Sequence, residues 1–224
     1  MVNELPRYSK GEEIFNAVTH IVGGALGIII LVLTTTFISL TSHNGWEIFS
    51  CIIYGLSVIT LYTMSALYHF LSPKLSAKRV FRILDHCTIF FLIAGTYTPC
   101  LVIGLGVGNY TPDYALILLL VVWICAILGI TFNAINMHWK VIKILSQVFY
   151  LISGWSILIA FEPILNVMGP LGFSLMLSGG VFYTVGAILY ALGKRKKWMH
   201  SIFHLFVLGG TIVQFFAILF FIIL

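Results

Sequence analysis

This sequence has very little charge. Only 8% of its 224 residues are Asp, Glu, Lys or Arg, whereas 60% are hydrophobic, and the mean hydropathy is +1.08. Soluble domains carry about a quarter charged residues, so a soluble fold of this length could not bury so much apolar surface. The shortage of charge excludes a soluble globular protein and indicates an integral membrane protein whose solvent is lipid.

Several familiar site motifs are also missing. The four cysteines all lie inside apolar runs without CxxC spacing, at Cys51, Cys87, Cys100 and Cys125. This pattern is not that of a disulfide framework or a thiolate metal site, and we interpret these residues as small packing side chains. No HExxH motif occurs, so the templates of soluble metalloproteases do not apply.

The net charge of +5 raises the question of nucleic acid binding. The basic residues, however, lie in the N-terminal tail and in short turns between apolar runs, where membrane topology explains them better. We therefore predict membrane lipid as the partner and no nucleic acid. The sequence leaves a homo-oligomer open.

Seven apolar runs of about 20–27 residues are each long enough to cross a hydrocarbon core of roughly 30 Å. We predict helices at about 14–40, 46–71, 80–104, 113–132, 141–161, 168–192 and 198–224. Residues 1–13 form a polar N-terminal segment, and the first apolar run is too long for a signal-peptide core. Pro73 is expected to end the second helix, and Glu162-Pro163 to close the fifth.

Charge sets the predicted orientation. All twelve Lys and Arg residues lie in the N-terminal segment or in turns two, four and six, and turns one, three and five have none. Basic segments stay cytoplasmic, so the N-terminus is predicted inside and the C-terminus outside. The prediction is an all-α, seven-transmembrane helix bundle, multi-pass in the cell membrane, with a bacterial plasma membrane favoured.

Polar residues from three of these helices are predicted to lie at one depth, near the cytoplasmic face. Ser65 and His69 share one face at the end of the second helix, because residues four apart align. His200 and His204 repeat this spacing at the start of the seventh helix, and Asp85 lies at the start of the third. Ionisable groups inside membrane spans are costly and usually functional.

This set of residues suits a metal site. Three neutral imidazoles, from His69, His200 and His204, bind Zn²⁺ and leave a fourth position for water, whose pKa the ion lowers towards about 7. Asp85 suits a general base and Ser65 a supporting hydrogen bond. A single HxxxH pair is weak evidence by itself, a lone Asp can simply cap a helix, and imidazoles also suit Cu, Ni and Fe.

Three further residues are candidates for supporting the site. Glu13 and His20 lie seven residues apart, on one face of the first helix; an interfacial Glu and a satisfied buried His are equally good interpretations. His86 lies about 100° around the helix from Asp85, which favours a packing or supporting role.

Ordered motifs over essentially the whole chain make the sequence resemble the haemolysin III family, within the progestin and adiponectin receptor superfamily. They are Glu13 with Thr19-His20, Ser65-Ala-Leu-Tyr-His69, Leu84-Asp85-His86, Gly95-Thr-Tyr-Thr-Pro99 and His200-Ser-Ile-Phe-His204-Leu-Phe. The resemblance implies seven helices with a cytoplasmic N-terminus. It also implies zinc binding by His69, His200 and His204, with Asp85 and Ser65 near the zinc-bound water.

Three functions remain open at this stage. The resemblance implies a ceramidase-like zinc hydrolase of lipid amides or esters. A receptor or regulator of membrane homeostasis with structural zinc is the second hypothesis, and the third is the pore-forming cytolysin suggested by the family label. A pore needs polar groups at successive depths, whereas here the ionisable residues cluster near one face.

Overall fold

A computed structural model describes residues 5–109, 111–193 and 196–224. Within these ranges the chain forms seven α-helices: α1 (Lys10–Thr41), α2 (Gly45–Phe70), α3 (Ser76–Pro99), α4 (Tyr114–Asn136), α5 (Lys140–Trp155), α6 (Phe161–Gly193) and α7 (Met199–Ile218). Short π-helical segments extend α3 and α7, and a 3₁₀ segment joins α5 to α6. Over the described ranges the chain has no strand, which confirms the predicted all-α membrane bundle.

The segment Lys140–Leu192 is the longest apolar helical run, with 53 residues. A continuous helix of that length would measure about 80 Å, far more than one membrane crossing requires. Gly169 interrupts it with φ 65° and ψ 174°, a conformation open to glycine because it has no Cβ. The run is therefore two crossings, so the six long apolar segments make seven membrane crossings.

The break between the fifth and sixth crossings differs from the expected one. We predicted that Glu162-Pro163 closes the fifth helix, but the chain remains helical through both residues and breaks at Gly169-Pro170. Pro163 is the third residue of α6, directly after the 3₁₀ segment Ser156–Ala160, and the first turn of an α-helix is where proline is tolerated. Both Pro163 and Pro170 are possible helix boundaries in the sequence, and the sequence does not show at which of them the helix breaks.

From α1 to α5 each helix packs against the next, α6 packs against α7, and α7 returns to pack against α1; the 3₁₀ segment contacts both α5 and α6 and so completes a ring. Close approach of α1 and α2 depends on glycine: a Cβ on Gly23 would clash with the ring of Tyr62. The hydroxyl of Tyr62 lies 2.7 Å from that of Thr211 on α7. The close contact between α1 and α2 thus positions Tyr62 to form a hydrogen bond with α7.

The N-terminus of α1 is anchored at the start of α7. Ser9 and Glu12 form a capping box, so the helix begins four residues earlier than the predicted 14. A carboxylate oxygen of Glu12 also accepts a hydrogen bond of 2.8 Å from the backbone N–H of Trp198. This contact brings the starts of α1 and α7 together at one end of the ring, which we call the basic end because the basic turns lie there.

Candidate metal centre

Three histidines converge at the basic end of the ring. His69 lies in the last turn of α2, and His200 and His204 lie one turn apart at the start of α7. Nε2 of His200 is 3.3 Å from Nε2 of His69 and 3.1 Å from Nε2 of His204. All three side chains are buried, and a ligand nitrogen of each lies within 4.8 Å of the others.

Hydrogen bonds between the histidines cannot account for both short Nε2–Nε2 contacts. Nδ1 of His69 lies 2.7 Å from a carboxylate oxygen of Glu13, which can only accept, so Nδ1 carries the proton and a neutral His69 presents a lone pair at Nε2. A proton on Nε2 of His200 can then donate to His69, but it leaves no lone pair for His204. A cation shared by the three lone pairs satisfies both contacts.

The spacing fits a metal ion. A tetrahedral zinc with Zn–N bonds of about 2.0–2.1 Å separates neighbouring ligand nitrogens by roughly 3.3–3.4 Å. The observed separations of 3.1 and 3.3 Å are close to this value. The three histidines are thus a group that could hold a metal ion, as the sequence predicted; which ion they hold stays a prediction.

A partly buried ion pair supports the site from α1 and α3. The second carboxylate oxygen of Glu13 lies 2.7 Å from Nζ of Lys78, which also donates to the carbonyl of Leu71 at 3.0 Å. Lys78 is fully buried, and its Nζ lies over the Tyr68 ring. The carboxylate thereby fixes the His69 tautomer, which is the usual role of a carboxylate beside a metal-binding histidine.

Aromatic rings enclose the histidines on two sides. Tyr8, in the segment before α1, stacks on His200 with ring centroids 4.8 Å apart. Burial raises the pKa of the Tyr8 hydroxyl far above its ordinary value, so this side chain stays neutral. On the opposite side His20 stacks on His204 at 3.8 Å. These rings limit how far the three imidazoles can turn.

The two predicted catalytic residues lie around a cavity that reaches the histidines. This cavity, of about 210 Å³, is lined by Asp85, Ser65, His20 and His200. Asp85 is close to the adjacent His86, with 3.6 Å between Oδ2 and Nδ1. The structure therefore places both predicted catalytic residues on the cavity, and their roles remain a proposal.

His86 is not one of the three converging histidines, although it lines the same cavity. Its Nδ1 contacts the carbonyl of Arg82 at 2.9 Å, and its Nε2 lies 3.0 Å from the hydroxyl of Tyr190. These contacts join α3 to α6 beside Asp85. The geometry is that of a residue that positions its neighbours.

Several buried polar atoms around the site have no hydrogen-bond partner among the described residues. They include Oγ of Ser65, both side-chain polar atoms of Asn16 and both ring nitrogens of His20. Buried polar groups in folded proteins are nearly always satisfied by protein or by ordered water. These atoms therefore mark a place where water or a polar ligand belongs, next to the histidines.

Comparisons with known proteins agree with the motifs. The family model described as Haemolysin-III related matches residues 8–215. The chain belongs to the haemolysin III family. It is 39% identical to Hemolysin-3 homolog of Bacillus subtilis (strain 168) over 210 residues, 94% of each chain, and 40% identical to Hemolysin-3 of Bacillus cereus over 215 residues, 95% of this chain and 92% of that one.

A more distant relative is human Monocyte to macrophage differentiation factor, which is 26% identical over 211 residues, 92% of this chain and 83% of that one. The family membership and the apolar helices make this haemolysin III protein a multi-pass membrane protein. Its two bacterial relatives favour a bacterial plasma membrane. The predicted family resemblance is thereby confirmed.

Sequence reasoning missed two residues of this haemolysin III site. Lys78 belongs to a basic turn that we explained by topology alone, and Tyr8 belongs to the polar N-terminal segment. No local pattern singles out either residue, because Lys78 meets Glu13 across 65 positions of sequence. Its position in the first turn of α3, whose other basic residues stay more exposed, is visible only in the fold.

Proposed function

We propose that this protein hydrolyses an amide or ester bond in a membrane lipid, with Zn²⁺ held by His69, His200 and His204. The observation that carries the proposal is the cavity, because it connects the polar site at the basic end with the lipid-facing surface of the bundle. A soluble substrate would not need such a path, whereas a lipid needs one for its acyl chain.

The cavity wall has the character of an acyl-chain site. Beyond the polar residues it is lined mainly by apolar side chains, among them Leu61, Ile89, Leu92, Ile93, Phe203 and Val207. It extends along α7 from His200 to Gln214, a distance of about 21 Å at helical rise. A hydrocarbon chain gains free energy by lying against such a surface instead of water.

The same cavity reaches lipid between α5 and α6. Leu151 of α5 and Ala187 of α6 both line it and are both exposed on the outside of the bundle. Deeper in the membrane, Trp155 donates from Nε1 to Thr184 at 3.2 Å and so joins the two sides. A lipid can enter the cavity between this contact and the basic end without leaving the bilayer.

Each residue then has a defined task. Bound Zn²⁺ supplies a Lewis acid that polarises a carbonyl and makes water acidic. Asp85 takes a proton from the attacking water and returns it to the leaving nitrogen or oxygen as the carbonyl–heteroatom bond breaks. Ser65, whose hydroxyl has no hydrogen-bond partner within the described part of the chain, donates a hydrogen bond to the substrate or water. Glu13 keeps His69 in its metal-facing tautomer.

The test is turnover of defined lipids by purified protein in lipid nanodiscs. We expect about one zinc per chain by elemental analysis, release of a fatty acid from a ceramide or a lysolipid ester, and loss of that release on metal removal. Zinc-loaded, folded protein that releases no fatty acid from a panel of lipid amides and esters would overturn the hydrolase proposal.

A structural metal is the second candidate, and one observation favours it. The three histidines join α2 to α7, and the Glu13–Lys78 pair joins α1 to α3, so a metal here braces four helices. This alternative predicts a large drop in melting temperature on chelation and no lipid product. The hydrolase proposal predicts that zinc restores turnover to chelated protein.

Pore formation, which the names of the Bacillus relatives suggest, has less support. On the side away from the basic end, the bundle interior contains fully buried apolar side chains such as Leu101, Ile164 and Ile218. A conduit needs polar groups at successive depths, and these residues interrupt any such series within one chain.

A further inference from the structure

A second pocket lies at the basic end, outside the histidine site. It has a volume of about 250 Å³ and lies between the start of α3 and the turn joining α4 to α5. Its polar lining consists of Arg79, Arg82, Asn133, Asn136 and His138. It shares no lining residue with the cavity of the metal centre, so it needs an explanation of its own.

The pocket is rich in positive charge. Among the described residues, its lining contains two guanidinium groups and no carboxylate. Within the described ranges, no acidic side chain comes within 4.0 Å of Arg79 or Arg82. Burial, together with the nearby Arg82 and Lys143 cations, lowers the pKa of the His138 imidazole below its ordinary value. The positive electrostatic potential of the pocket favours binding of an anion.

The two asparagines add hydrogen-bond donors. The side-chain oxygen of Asn133 accepts a hydrogen bond from Ser146 at 3.2 Å, and that of Asn136 accepts one from the backbone N–H of His138 at 3.1 Å. Their NH₂ groups remain as donors. Asn133 is 4% exposed, and its Nδ2 has no hydrogen-bond partner among the described residues. A buried donor without a partner, here Nδ2 of Asn133, indicates a missing acceptor.

We propose that this pocket binds the phosphate of an anionic phospholipid headgroup. Arginine guanidinium groups bind phosphate oxygens with two parallel hydrogen bonds, and amide NH₂ groups serve the remaining oxygens. The volume corresponds to about eight water molecules at roughly 30 Å³ each, which accommodates a phosphate with part of its glycerol.

The rim of the pocket favours a lipid over free phosphate. Ile135 lines the pocket and is 66% exposed on the outside of α4, and Trp139 in the following turn is 61% exposed. In a membrane these side chains face acyl chains and headgroups, where tryptophan commonly lies. Basic pockets between helices on the predicted cytoplasmic side are typical sites for anionic headgroups.

The experiment measures binding of short-chain phosphatidylglycerol to the zinc-loaded protein in detergent. Phosphatidylcholine of equal chain length and inorganic phosphate are the comparison ligands. We expect phosphatidylglycerol to bind at least tenfold more tightly than either one. Equal affinity for phosphatidylcholine would overturn the anionic site, and equal affinity for inorganic phosphate would overturn the lipid assignment.

Two matched double variants locate the site. Arg79→Gln/Arg82→Gln should weaken phosphatidylglycerol binding at least tenfold. Lys74→Gln/Lys196→Gln removes the same charge from the basic end outside the pocket and should change binding less than twofold. Equal losses in both variants would show a diffuse charge effect and overturn the proposal. If the arginine pair fails to fold, the single variant Arg79→Gln, at an exposed position, serves the same comparison with an expected loss of at least threefold.

Discussion

Glu13 holds His69 through a contact of 2.7 Å between a carboxylate oxygen and Nδ1, although 56 positions separate the two residues in sequence. The same carboxylate meets Lys78 at 2.7 Å. One acidic residue near the start of α1 therefore fixes both the tautomer of a metal-facing histidine and the position of a buried cation.

Removal of the Glu13 charge should weaken metal binding. In Glu13→Gln we expect zinc affinity to fall about 10-fold to 100-fold, because the carboxylate that holds His69 in the tautomer with its Nε2 lone pair towards the metal is lost. Competition with a chromogenic chelator measures this. Glu47→Gln, outside the site at the opposite end of the bundle, should leave the affinity unchanged, and an equal loss there would contradict the role given to Glu13.

Lys78 should matter for stability more than for metal chemistry. Lys78→Met leaves the Glu13 carboxylate without its cation, and breaking such a pair costs about 3–5 kcal/mol when fully buried. Because Glu13 retains 18% side-chain exposure, we expect about 2–3 kcal/mol in the free energy of unfolding. Lys74→Met, at an exposed position, should stay within about 0.5 kcal/mol, and the double variant Glu13→Gln/Lys78→Met should lose less than the sum of the single variants.

Metal content should depend on His69, His200 and His204 and not on how many histidines the protein contains. His200→Ala/His204→Ala removes two of the three ligand nitrogens, so elemental analysis should fall from about one zinc per chain to near none. His86→Ala removes a histidine that lines the cavity but does not belong to the group of three, and this variant should keep the metal. Zinc retained by the double variant would mean that the ion lies elsewhere.

Asp85 should affect turnover without affecting metal content. Asp85→Asn keeps the size of the side chain but cannot accept a proton, so we expect lipid hydrolysis to fall at least 100-fold, within the range attributed to general base catalysis. Asp113→Asn makes the same change at the cap of α4, where asparagine caps equally well. Normal turnover in Asp85→Asn would remove this residue from the mechanism.

Two adjacent glycines test the close contact of α1 and α2. Gly23→Ala places a methyl group against the Tyr62 ring, whereas a Cβ on Gly24 has its nearest neighbour, Oγ1 of Thr63, at 3.8 Å. Overpacking of this kind costs about 1–3 kcal/mol. Thermal unfolding should therefore show Gly23→Ala melting several degrees below Gly24→Ala, and equal melting temperatures would contradict the packing.

Much of the fold and of the histidine site could be predicted because the signals are local or periodic. Hydropathy marks each crossing, and the four-residue spacing from His200 to His204 places both rings on one helix face. We predicted that His200 and His204 meet His69 from their depth in the membrane alone, because the turn after α2 and the turn before α7 both lie at the basic end. The end of the fifth crossing was predicted at Glu162-Pro163 and lies at Gly169-Pro170. The choice between these two prolines depends on how the fifth and sixth crossings leave the membrane.

The sequence by itself determined a multi-pass helical bundle, its family and the three histidines, since each depends on composition, spacing or ordered motifs along the chain. Only the tertiary structure decided that Glu13 meets His69 and Lys78, that Tyr8 stacks on His200, and that Arg79 and Arg82 share a pocket with Asn133. These contacts join residues of different helices, and the rotation of each helix about its axis is set by packing against its neighbours.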